Sequence, residues 1–237
     1  MRNWGVMNSF FSKSIGGLWR LFLIGLFVGC SLGAARAQEL SNAQLDQLLG
    51  RLEQLQSSTP GLTANFKETR TSRILTEPMV SKGELKFRAP AFFRREIKGS
   101  RPSLTVSDGE ILWIYYPKFK EAERYEIGRG QPVDEAVQAL LAGMNFNRVK
   151  SSYQIEAEKV GDGYELELRP KTSALRKMFK SMVLTLDRQL NVIQSDVQLS
   201  RGDSVKTEFS SIRRGTPSKS DFRYTPPEGT RISEPLR

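Results

Sequence analysis

Acid–base chemistry needs carboxylates or imidazoles that face one another, and this sequence offers only carboxylates. Glu156 and Glu158 sit two residues apart, as do Glu165 and Glu167, so on a strand each pair shares a face. Two carboxylates across a cleft can hydrolyse a glycosidic bond. Here each pair alternates with apolar residues, which puts the acids on the wet side of a strand. Ser107-Asp108 and Ser173 have no neighbouring base, no Ser-x-x-Lys occurs, and Gly202-Asp203-Ser204 reads as a turn. The 237 residues contain no histidine, which excludes Ser-His-Asp and Cys-His nucleophiles and any histidine-containing zinc site. The one cysteine, Cys30, can form neither an internal disulfide nor an all-cysteine metal site. Neither a P-loop nor a GxGxxG motif is present. A non-enzymatic protein without cofactor or metal is therefore expected.

The positive signal is apolar. Phe66, Phe87, Phe93, Trp113, Tyr115 and Phe209 fall at strand-facing positions, in step with Leu85, Ile97, Leu104, Val106, Leu166, Leu168 and Leu184. Any one of them could be ordinary sheet core. Together, in a chain without catalytic groups, they are expected to line an apolar cleft. Each buried methylene of a guest contributes about 0.8 kcal/mol, so such a cleft needs no charged anchor to hold an acyl chain.

These side chains need a sheet to align them. Residues 41–57 predict an amphipathic helix, with Leu45, Leu48, Leu49, Leu52 and Leu55 at the helical period. Ser41 and Gln44 form a capping box, Leu40 and Leu45 a hydrophobic staple, and Pro60-Gly61 a stop. Period-two alternation follows: Leu62, Ala64, Phe66; Gly83, Leu85, Phe87; Phe93, Arg95, Ile97; Leu104, Val106. Asp108-Gly109 signals a hairpin into the doubly apolar run Ile111–Tyr116. A second helix is expected over 132–144, then strands around Tyr153, Tyr164, Met182, Ile193 and Val205. About ten short strands with two helices imply a mainly β (α+β) domain over 38–237. An antiparallel sheet of that size curls.

Residues 1–37 carry four basic residues and no acid, an apolar run from Leu21 to Cys30, and Ala35-Arg36-Ala37. That is the pattern of a secretory signal peptide, too short to span a bilayer. Cleavage after Ala37 gives a free exported protein. Phe27-Val28-Gly29-Cys30 resembles a lipobox, and processing there gives a product tethered through acylated Cys30. The formal charge of +10, with a pI near 9.8, falls to +6 once residues 1–37 are removed. Acids interleave the remaining basic residues, so no nucleic-acid partner is expected.

Several segments resemble the periplasmic outer-membrane lipoprotein carriers, the LolA family. These are Gly83-Glu-Leu-Lys-Phe-Arg-Ala-Pro90, Phe92-Phe-Arg94, Val106-Ser-Asp-Gly109 with Leu112-Trp-Ile-Tyr115, and Phe222 with Pro226-Pro-Glu-Gly229. The resemblance implies a half-open antiparallel β-barrel with helices covering its concave apolar face. It also implies a periplasmic monomer that takes lipoprotein acyl chains or lipid from an inner-membrane releasing transporter to an outer-membrane acceptor. A membrane-tethered receptor or envelope sensor of the same fold, or an exported hydrolase, are the alternatives. The family's lid-latching arginine directly precedes the proline, where this chain has Ala89. Arg88 lies one position earlier and so on the opposite strand face, which leaves Arg94 or Arg95 as substitutes. Glu68 stands where the family commonly has glutamine.

Overall fold

The capping box that opens the first helix is formed. Gln44 Oε1 accepts from the Ser41 backbone N–H at 2.9 Å, and Ser41 Oγ accepts from the Gln44 N–H at 3.4 Å. The computed structural model describes residues 38–128 and 149–235, all within one compact unit, 35–237. The expected signal peptide, the lipobox at Cys30 and the 132–144 helix lie outside the described residues.

A short strand β1 (Gln38–Glu39) precedes α1 (Asn42–Ser58). Six strands follow: β2 (Gly61–Thr71), β3 (Met79–Arg88), β4 (Phe92–Lys98), β5 (Ser103–Asp108), β6 (Ile111–Tyr116) and β7 (Glu121–Glu126). After the undescribed stretch come α2 (Val149–Ser152), β8 (Tyr153–Val160), β9 (Gly163–Pro170), α3 (Ser173–Met178), β10 (Phe179–Leu186), β11 (Val192–Leu199) and β12 (Ser204–Gly215). A 3-10 turn (Lys219–Phe222) and β13 (Arg231–Ser233) finish the chain. The alternation thus located the long strands, although β2, β3 and β12 run four to six residues beyond the alternating sets. It missed α3, which is capped by Thr172 but too short to show a period, and the short edge strands.

All thirteen strands join one open sheet in the order β1-β8-β9-β10-β11-β12-β2-β3-β4-β5-β6-β7-β13. Every pairing is antiparallel except that of β13 with β7. The sheet is two meanders, β2–β7 and β8–β12, joined where β12 pairs with β2.

Register sorts the side chains onto two faces. Phe66 opposes Gly83 and Phe209, Phe87 opposes Phe93, and Phe93 opposes Ser107, so these share the inner face. On that face Leu48, Leu49 and Leu52 of α1 pack with Leu166, Leu168, Leu184 and Leu186, a dry core under the helix. A second cluster gathers Phe66, Leu85, Phe87, Phe93 and Leu112 under the first meander. On the outer face, Trp113 and Tyr115 meet Tyr224 at ring distances of 6.1 and 5.8 Å, and Phe92 meets Phe222 at 5.6 Å. The chain's tail therefore covers the outside of β4–β6. Lys86 Nζ, 2.6 Å from Asp221 Oδ1, and Arg88 Nη1, which donates to the Pro217 carbonyl, hold it there.

Val-Ser-Asp-Gly proves to be turn chemistry. Asp108 Oδ1 accepts from the Glu110 and Ile111 N–H groups, Gly109 takes a φ of +94°, and buried Ser107 donates to the Ala91 carbonyl. Glu156 and Glu167 both pair with Arg169 on the wet face, where the sequence puts them.

Candidate functional site

Between the two core clusters the inner face leaves a hollow of about 190 Å³. Its walls come from both meanders: Leu62, Ala64, Phe66, Leu85, Phe87 and Phe93 on one side, and Met182, Leu184, Val192, Val197 and Val205 on the other. Leu52, Gln56 and Thr59, toward the C-terminal end of α1, complete it. Five strand spacings separate β4 from β10, or about 24 Å on a flat sheet. That Phe93 and Met182 border the same hollow shows how strongly the sheet curls.

Three backbone details create the space. A Cβ on Gly83 would fall 2.7 Å from the Phe66 ring and closer still to the Glu96 carbonyl, so only glycine lets that ring lie across β3. In β12 the register jumps between Ser210 and Arg213, with Ser211 at a φ of +51°. Before this bulge odd-numbered residues face inward; after it Ile212 and Arg214 do. A similar irregularity in β10–β11 turns Val192 inward, in place of the expected Ile193, which is exposed.

Of the side chains expected to line the cleft, Phe66, Leu85, Phe87, Phe93 and Leu184 do so. Ile97 packs at the edge of the second cluster. Leu166 and Leu168 are fully buried beneath α1, in core rather than in the hollow. Leu104, Val106, Trp113 and Tyr115 require correction: strand pairing puts them on the outer face, partly under the C-terminal tail. For Trp113 and Tyr115 the doubly apolar run Ile111–Tyr116 hid this, because neither of its faces is polar; for Leu104 and Val106 the alternation marks a buried face, but that face is turned away from the hollow. Leu52 and Leu190 were missed as cleft residues. Leu190 sits at a φ of +61° in the β10–β11 turn, where no periodicity points to it.

Among the described residues, the wall of the hollow holds one ion pair. Arg95 Nη2 lies 2.5 Å from Glu68 Oε2, and the guanidinium stands 4.5 Å from the centre of the Phe66 ring. Arg95 is thus the one of the three candidate latch residues that faces inward. Arg88 binds the tail, and Arg94 pairs with Glu96 at 3.6 Å, both on the outer face. Glu68 supplies the partner that Arg95 needs in a half-buried position. Toward the other end, Arg214 donates to Asn191 Oδ1 and the Leu190 carbonyl, each at 2.8 Å. Burial lowers its pKa, and the Asp187 charge opposes that shift.

Glu68 is the only carboxylate among the described residues that border the hollow, and it is neutralised by Arg95. Two converging acids, which a glycosidase needs, are not brought together there. Among the described residues no group of three or more acids or cysteines is placed to hold a metal. No described helix is long and apolar enough to cross a membrane. What the arrangement can do is desolvate a slender apolar guest. An engineered apolar cavity of about 150 Å³ admits benzene, so this one accommodates about eight chain carbons as it stands.

Comparison with known proteins adds the family. The sequence profile described as outer membrane lipoprotein carrier protein LolA matches residues 57–225. An outer-membrane lipoprotein carrier protein of Vibrio vulnificus is 28% identical over 206 residues, covering 84% of this chain and 93% of that one. Its counterpart in Azotobacter vinelandii is 24% identical over 218 residues, covering 91% and 98%. Among solved structures, a LolA superfamily protein from Nitrosomonas europaea aligns with a TM-score of 0.44 at 9% identity, over 76% of this chain and 97% of that one. With the profile spanning well over half of its length, the chain belongs to the LolA family.

Proposed function

We propose that the protein carries lipoprotein acyl chains, or lipid, in the hollow between its two meanders. The observation that supports this reading is the apolar space bordered by Phe66, Phe87, Phe93 and Leu184, in a chain whose relatives are named lipoprotein carriers. About eight desolvated methylenes contribute roughly 6 kcal/mol. Before ordering costs that corresponds to a dissociation constant of tens of micromolar. A longer chain, or a second one, requires the walls to part, and α1 is the element placed to yield. In this reading residues 1–37 direct export and are removed after Ala37, leaving a free periplasmic monomer. An inner-membrane transporter loads it and an outer-membrane acceptor unloads it.

The test is to express the complete sequence, recover the exported protein and identify extracted lipid by mass spectrometry. Wild type should bring down acylated species, and Leu184→Glu should lose them. Wild type recovered without any acylated molecule, and unable to bind a fluorescent fatty acid, refutes the carrier reading. The N-terminal residue of the same preparation separates the free form, beginning at Gln38, from one tethered through Cys30.

A further inference from the structure

The β2–β3 loop shows water a large apolar side chain that nothing in the fold requires there. Ile74 is 91% exposed, Leu75 beside it is exposed, and Val80 on the following strand is 54% exposed. Side chains of this kind normally turn inward, so two of them in one loop, with a third exposed on the strand that leaves it, mark a contact surface.

The tip is held out by an ordered base. Ser72 donates to Asp203 Oδ1 at 2.8 Å, Arg70 lies 3.7 Å from the same carboxylate, and the Leu75 N–H donates to the Ser72 carbonyl. The charge around it is mainly positive. Arg73, whose guanidinium lies over Gly202, has no ion-pair partner among the described residues, and neither does Arg101, which donates to the Met79 sulfur. Glu77 is the one acid in the loop itself, and Asp203 is engaged at its base. Apolar side chains at the tip, with arginines set behind them, match the two layers of a membrane surface: acyl boundary first, anionic head groups above it. An uncharged protein groove would fit the apolar tip but gives no role to the arginines.

We propose that the β2–β3 loop docks the protein on anionic bilayers, inserting Ile74 and Leu75 while Arg73 and Arg101 meet the head groups. The loop leaves the sheet at the end where Glu68 and Arg95 border the hollow. Docking therefore brings that end of the hollow to the lipid surface, whatever the hollow contains.

The experiment is vesicle co-sedimentation with protein exported from the complete sequence. The vesicles are phosphatidylcholine alone, or phosphatidylcholine mixed with phosphatidylglycerol. Each arginine near an anionic surface is worth roughly fivefold in partitioning, so wild type should bind the mixed vesicles at least about tenfold more tightly, and salt should weaken it. Ile74→Glu should reduce binding at least about tenfold, Ile74→Leu should retain it, and Arg73→Glu should remove most of the preference for phosphatidylglycerol. Position 74 is almost fully exposed, so these variants should keep wild-type circular dichroism and fatty-acid binding. That second readout separates failed docking from a failed carrier. Wild type that binds neither vesicle, or binds both equally, overturns the proposal. So does Ile74→Glu that sediments as wild type does, or an effect of Ile74→Glu seen only on capture by a protein acceptor.

Discussion

Phe93 and Trp113 look alike in the sequence, each an aromatic in a strand-forming run, yet they face opposite ways. Phe93 is 1% exposed and borders the hollow, whereas Trp113 lies against Tyr224 outside the sheet. Phe93→Ala should cost about 3–5 kcal/mol in urea unfolding and also change fatty-acid affinity. Trp113→Ala should lower stability but leave that affinity within about twofold, because the sheet separates the two sites. Tyr224 itself gives a pH signature. Burial, and then the nearby Tyr115, push its phenol up to about 12, against an unfolded value near 10. The folded state holds that proton more tightly, so the contribution is intact below about pH 10 and is lost as pH rises from there toward about 12. The Tyr224 hydroxyl is buried and has no hydrogen-bond partner among the described residues. Tyr224→Phe should therefore be neutral or slightly stabilising at pH 7, and should flatten the alkaline limb of a stability–pH curve. The sequence showed which residues are apolar. It could not show which face of Ile111–Tyr116 the tail would cover, because that depends on contacts about a hundred residues away.

Elements were more legible than residues wherever a period ran long enough. The five leucines of α1 and its capping box were plain in the sequence, and Leu48, Leu49 and Leu52 are buried as the spacing requires. Ser41→Ala should lower stability by about 1 kcal/mol in thermal or urea unfolding, since the Gln44 backbone N–H loses Ser41 Oγ as its acceptor, with no change in fatty-acid binding. The bulges in β12 and at the β10–β11 turn were not legible. One additional residue reverses the in–out sense of everything beyond it, and no local composition marks the place. That is why Ile212, Arg214 and Val192 had to be found from pairing rather than from alternation.

At the scale of the whole molecule, the long-range ties are the β12–β2 ladder and the tail strapped across the outer face. Phe222 is 1% exposed and sits over Phe92, with Asp221 tied to Lys86. Phe222→Ala should cost about 3–5 kcal/mol, which for a domain of this size lowers Tm by about 6–20 °C, measured by calorimetry. The sheet ends in two short strands, β1 and β13, that do not pair with each other. A barrel stitched shut all the way round could change its girth only by tearing a ladder of backbone hydrogen bonds. A staved vessel left unhooped along one seam needs no such rupture. Its bore can broaden by a slight relaxation of twist shared among many strands, so a swollen, laden form and a slim, empty one can keep the same backbone pairings.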